Sequence, residues 1–101
     1  MEKPKLILNG KEHSPKRPTM KVWRAIVEHD SEAKGLSISD ILSHRVEILA
    51  LIYDIDKEQI EAGIEVSDVL PAYNEAAKWI LSLVSEKLEK IPNAEAGTDG
   101  K

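Results

Sequence analysis

The sequence predicts a mainly α-helical fold of about four helices with a short N-terminal β-hairpin. Apolar residues recur at helical spacing through most of the chain, and a short apolar run near the N-terminus is followed by an Asn-Gly pair. The 101 residues, 42% of them hydrophobic, are enough for one core. We therefore predict a single helical domain over residues 1–91, followed by a disordered tail over residues 92–101 that lacks apolar periodicity.

The hairpin is predicted from the run Leu6–Leu8 and the Asn-Gly pair after it. A type I′ turn needs positive φ at both central residues, which Asn tolerates and Gly adopts without a Cβ clash. This turn would pair Leu8 with Lys11 and Leu6 with His13, so the second strand lacks an apolar face. We therefore expect the hairpin to depend on the helices for its stability.

The four helices are predicted from residues that favour helix ends. Ser, Thr and Asp accept hydrogen bonds from first-turn N–H groups, whereas Gly favours a helix end. The second helix is apolar around most of its circumference and is expected at the centre of the domain. The predicted helices are one from cap Thr19 to between Asp30 and Gly35, Ile38–Tyr53 after cap Ser37, one from cap Asp56 to Gly63, and one from cap Ser67 to about Lys90.

The last helix carries an apolar arc that is wider than one neighbouring helix covers. Its main stripe, expected to face the core, includes Leu70, Tyr73, Ile80 and Val84. The second stripe, which combines small side chains with one large aromatic, consists of Ala72, Ala76, Trp79 and Leu83. Because a shallow groove with an aromatic wall suits a helical partner, we predict that this second stripe binds a partner through Trp79 and Leu83. The alternative for Trp79 is a core position, which is also the position expected for Trp23.

The sequence contains no recognisable catalytic or metal-binding pattern. The absence of Cys excludes disulfides, Cys-ligated zinc and a thiol nucleophile, and no glycine-rich phosphate loop or nucleophile elbow is present. His13, His29 and His44 fall in three different elements without metal-ligand spacing. The adjacent pair His29-Asp30 fits a helix C-terminus, where histidine is favourable, better than an acid–base pair. We therefore predict a protein that is not an enzyme and needs no metal or cofactor.

Charge is distributed unevenly along the chain. Residues 1–24 carry seven Lys and Arg against two Glu, whereas residues 25–101 carry seven against sixteen Asp and Glu. The N-terminal segment is either a solvated basic arm or a basic edge for an acidic partner. The acidic total and the lack of a basic stripe on any helix argue against nucleic acid. No apolar run approaches the roughly 20 residues of a membrane span, and no signal peptide is recognisable, so a soluble protein is expected.

The order of these elements resembles the tail assembly chaperones of long-tailed bacteriophages. The resemblance extends from Leu6 to about Leu88, and family members often carry an aromatic residue where His13 stands. It rests on Leu6-x-Leu8-Asn9-Gly10-Lys11-Glu12, Met20-Lys21 at the start of the first helix, Ile60-x-x-Gly63-Ile64 and Val69-Leu70-Pro71.

The resemblance implies a role in virion assembly. Members of this family bind the long helical tape measure protein, keep it soluble and help to recruit tail tube subunits, and they are absent from the finished tail. It therefore implies a phage or prophage protein of the host cytoplasm, with the tape measure protein and the tail tube protein as partners. Self-association is left open. The competing interpretation is a small regulatory DNA-binding or antitoxin-like module built from the first two helices.

Overall fold

The computed structural model describes residues 2–89 and confirms a mainly α-helical fold with an N-terminal hairpin. The end predicted for the last helix at Lys90, and the disordered tail predicted from residue 92, lie outside the described residues. The elements are β1 (Leu6–Leu8), β2 (Lys11–His13), α1 (Met20–Glu32), α2 (Ile38–Tyr53), α3 (Lys57–Gly63) and α4 (Val69–Glu89).

The two strands form an antiparallel pair in the predicted register, Leu6 with His13 and Leu8 with Lys11. The connecting residues, Asn and Gly, have φ angles of 52° and 76°. These are the left-handed values that a type I′ turn requires, so the Asn-Gly pair sets both the turn and the register.

The hairpin rests on α3, as its weak second strand led us to expect. Leu6 and Leu8 belong to the buried core, and the backbone N–H of Asn9 donates to the carbonyl oxygen of Gly63 at 3.0 Å. A Cβ atom at Gly63 would lie 3.1 Å from the Cβ of Leu8. Glycine at this position, the last residue of α3, therefore allows the last turn of the helix to approach β1 closely.

Helix α2 is the centre of the domain, and its observed bounds are those predicted. Ser37 Oγ accepts a hydrogen bond from the backbone N–H of Asp40 at 3.2 Å, which satisfies one N–H of the first turn. The helix packs against α1, α3 and α4. Its last turn ends at Asp54, which adopts a left-handed conformation at φ 56°. The buried residues of α2 are Val46, Ile48, Leu49, Ile52 and Tyr53.

The start of the last helix differs from the prediction. Ser67 lies in a 3₁₀ turn, Val66–Asp68, and α4 begins only at Val69. In this turn the N–H of Val69, the first residue of α4, donates to the carbonyl of Val66, so a backbone group takes the place of the expected side-chain cap. Thr19 and Asp56 do hold the N-cap positions of α1 and α3, although neither side chain forms a cap hydrogen bond.

Candidate partner-binding surface

The four residues predicted to bind a partner lie against the core. Trp79 is 4% exposed and Ala76 is 0% exposed. Ala72 and Leu83 are half-buried and pack against the same core cluster. The prediction that Trp79 and Leu83 form an outward-facing edge of α4 is therefore wrong for Trp79 and only partly right for Leu83. Trp79 takes the alternative position considered from the sequence, whereas Trp23, expected in the core, is half-buried against it.

The exposed apolar side chains of α4 lie on the opposite edge of its apolar arc. Leu70, Leu81 and Val84 are 43%, 38% and 39% exposed, although Leu70 and Val84 were expected to face the core. Leu70 and Leu81 are separated by about three helical turns, and Val84 follows Leu81 by about one more. The three side chains therefore share one side of α4, which we call the α4 edge.

The helices that pack against α4 explain why Trp79 is buried and Leu70 and Val84 are exposed, rather than the reverse. This helix packs mainly against α2 and also contacts α1. Tyr73 and Ile80, predicted to face the core, do so, and the buried surface extends from them toward Trp79. Helical periodicity gives the width of an apolar arc but does not say which of its margins the neighbouring helices cover. Long-range packing decides that the Trp79 side is covered.

A polar cluster joins three helices beside this core, and we call it the α1–α2–α4 junction. The Nε of Arg45 donates to Nε2 of His29 at 3.1 Å, and the hydroxyl of Tyr73 donates to Oδ1 of Asp30 at 3.1 Å. The guanidinium carbon of Arg45 lies 4.7 Å from the centre of the Tyr73 ring, and the His29 ring meets Tyr73 edge-on at 5.5 Å. These contacts fix the relative positions of α1, α2 and α4.

The junction gives His29 a different role from the one predicted. His29 lies in the last turn of α1, as a helix-end histidine should, but it is buried. Because its Nε2 accepts a hydrogen bond, the ring is neutral with the proton placed on Nδ1, which is buried without a partner among the described residues. His29 and Asp30 bond to different helices, as expected for neighbours about 100° apart on a helix.

Burial and nearby charges both keep His29 neutral. Burial is the main cause that lowers the pKa of His29. The Arg45 guanidinium lowers this pKa further, and so does His44, which lies beside Arg45 on α2. The carboxylates of Asp30 and Glu32 act in the opposite direction but are outweighed. Tyr73, the α4 member of the junction, has a raised pKa because of burial and then the nearby Asp30. The junction is therefore held by a neutral imidazole and a protonated phenol near neutral pH.

No local sequence pattern indicated this junction. Its hydrogen bonds join residues that are far apart in the chain, and each of them alone fits an ordinary helix surface. Within residues 2–89, no group of three or more His, Asp or Glu side chains has a geometry that would hold a metal ion. The same part of the chain contains no helix long and apolar enough to cross a membrane.

The chain was compared with known protein families, sequences and structures. The chain matches no family model, no curated protein sequence and no solved structure.

Proposed function

We propose that this protein is a tail assembly chaperone of a long-tailed phage. In this role it binds the tape measure protein in the host cytoplasm, keeps it soluble and helps to recruit tail tube subunits, and it leaves before the virion is complete. The proposal starts from the resemblance in the order of hairpin, helices and connecting residues described above.

The observation that carries the proposal is the α4 edge. Leu70, Leu81 and Val84 form a row of exposed apolar side chains along the longest helix of the domain. An apolar row at helical spacing is complementary to the apolar stripe of a second helix, and long helices with such stripes are what a tape measure protein presents. The edge therefore replaces the Trp79 stripe as the proposed binding surface.

The charge of the chain suits the same role. The formal net charge is −4, and residues 25–101, which include α4, account for the acidic excess. A net charge away from zero disfavours aggregation of the chaperone and of a complex in which it covers an apolar partner.

The competing DNA-binding or antitoxin-like function has less support. In a two-helix DNA-binding module the second helix enters the major groove and needs an exposed face. Here α2 contacts three other helices and has five buried residues, including Leu49 at 0% exposed.

The proposal is tested by co-expression with the candidate partner. A chaperone gene of this family is expected between the gene for the tube protein and a very long tape measure gene, and that neighbour supplies the partner to be tested. The variant Leu81→Ser/Val84→Ser should lower the yield of soluble tape measure protein. If each contact contributes about 1 kcal/mol, the dissociation constant should rise about thirtyfold.

A matched variant separates binding from folding. Glu75→Gln/Glu86→Gln changes two exposed residues about 140–160° around α4 from Leu70 and should leave both yield and affinity unchanged. Both double variants should melt close to the parent, because surface substitutions usually change stability by less than about 0.5 kcal/mol. Unchanged tape measure yield and affinity for the Leu81/Val84 variant would contradict the proposed surface, and no binding by the parent chain would contradict the proposed function.

A further inference from the structure

Strand β2 has one edge that no part of residues 2–89 pairs with. The sheet has two strands, so β2 meets β1 on one side only. The turn closes with Leu8 opposite Lys11, which makes this a hydrogen-bonded pair, and the alternation of an antiparallel ladder makes Leu6 and His13 the next one. Glu12, between them, therefore directs its backbone N–H and C=O away from β1.

An open groove lies under this edge. Its volume is about 520 Å³, and it is lined by Leu8, Asn9, Lys11, His13, Ile55, Gln59 and Ala62. Lys11 and His13 point to the same side of the sheet as the buried Leu6 and Leu8, because directly opposite residues share a face. Since β2 contributes no apolar side chain there, the described part of the chain leaves the space between β2 and α3 unfilled.

The charges of β2 disfavour pairing with a second copy of the same strand. An antiparallel pair of two β2 strands centred on Glu12 would place one Glu12 directly opposite the other and Lys11 opposite His13. Like charges in directly opposite positions are destabilising, and such edge charges are a common device against self-association. The edge is therefore better suited to a different strand.

The geometry points to β2 as a docking site for an extended segment of another protein that alternates acidic, basic and acidic side chains. The central residue of that segment exchanges backbone hydrogen bonds with Glu12 and places its positive charge opposite the Glu12 carboxylate. The two acidic residues lie opposite Lys11 and His13, which donate to carboxylates. Apolar side chains further along the same face of the segment reach the groove beside Ile55 and Ala62.

This site is separate from the α4 edge and does not depend on the proposed function. Residues 1–24 have a net charge of +5, and within residues 2–89 the only titratable side chains that line the groove are those of Lys11 and His13. A segment with more acidic than basic residues is therefore attracted to this end of the molecule.

The experiment uses a synthetic peptide, Val-Thr-Glu-Lys-Glu-Thr-Val, blocked at both ends and titrated into the full ¹⁵N-labelled chain. The amide of Glu12 and the residues lining the groove should shift. The charge-swapped peptide Val-Thr-Lys-Glu-Lys-Thr-Val should bind about tenfold more weakly, because the cross-strand pairs with Glu12 and Lys11 become like-charge pairs and His13 loses its carboxylate acceptor. Methylation of the central lysine's backbone nitrogen should also abolish the shift at Glu12, because it removes one edge hydrogen bond.

Exchange of charge on the protein gives a second, independent measurement. Glu12→Lys should weaken the first peptide and favour Val-Thr-Glu-Glu-Glu-Thr-Val, whereas Glu58→Lys, an exposed change on α3 outside the groove lining, should leave the preference unchanged. Equal affinity for the first and charge-swapped peptides, or shifts that avoid β2, would overturn the proposal. Binding that survives methylation of the peptide nitrogen would overturn strand pairing.

Discussion

The sharpest test of the position of α4 is the variant Trp79→Ala. A tryptophan that is 4% exposed removes about 150–250 Å² from solvent, which corresponds to about 4–6 kcal/mol of transfer free energy. Truncation of large core aromatics typically costs about 3–5 kcal/mol, in agreement with that range. For a domain of this size, each 1 kcal/mol lowers the melting temperature by about 4–8 °C.

We therefore expect Trp79→Ala to lower the melting temperature by about 12–40 °C, measured by circular dichroism at 222 nm. Leu81→Ala is the matched control on the same helix, because its side chain is substantially exposed, and it should change the free energy of unfolding by less than about 0.5 kcal/mol. A melting temperature for Trp79→Ala within a few degrees of the parent would show that this side of α4 is not packed against the core.

Three further predictions concern the core, the hairpin and the polar junction. Leu49→Asp should abolish the cooperative melt, because an unpaired carboxylate at a fully buried position costs several kcal/mol of a stability of about 5–15 kcal/mol. Gly63→Ala should cost about 1–3 kcal/mol in urea unfolding because its Cβ would crowd β1, whereas Gly35→Ala, with open space around it, should be neutral or stabilising. Because the pKa of His29 is lowered in the folded state, His29 of the unfolded chain takes up a proton first as the pH falls. The contribution of neutral His29 to the free energy of unfolding is therefore complete above about pH 6.5 and is lost as pH falls through the folded pKa. In His29→Gln, whose amide oxygen can still accept from Arg45, the fall in stability between pH 7 and pH 5 should be smaller, and an identical pH profile would contradict this role.

Local signals were sufficient wherever neighbouring residues determine the structure. The Asn-Gly pair predicted the turn and strand register because few sequences tolerate two successive positive φ angles. The bounds of α2 followed from Ser37, whose hydroxyl takes a first-turn N–H, and from an apolar surface that needs neighbours on several sides. The burial of Leu49 followed from the same apolar surface.

The sequence was insufficient wherever a choice depended on distant parts of the chain. Ser67 had a suitable side chain for an N-cap, but the backbone N–H at the start of α4 is satisfied by a carbonyl of the preceding 3₁₀ turn instead. Which side of α4 faces the core depends on which margin of its apolar arc α1 and α2 cover. No local sequence pattern contains that information. The junction was missed for the same reason, because the partner of His29 is on α2 and the partner of Asp30 is on α4.

The contact between Asn9 and Gly63 has a consequence for the order of events during synthesis. A two-stranded hairpin is marginal by itself in water, and this one draws its support from the end of α3. The two strands leave the ribosome before the helices that follow them, yet the carbonyl that secures their turn is made only after α1 and α2. A nascent chain that ends before α3 lacks the helix against which β1 packs. The hairpin is thus made well before it can be held in place, because its turn is secured only when the chain has been made as far as Gly63.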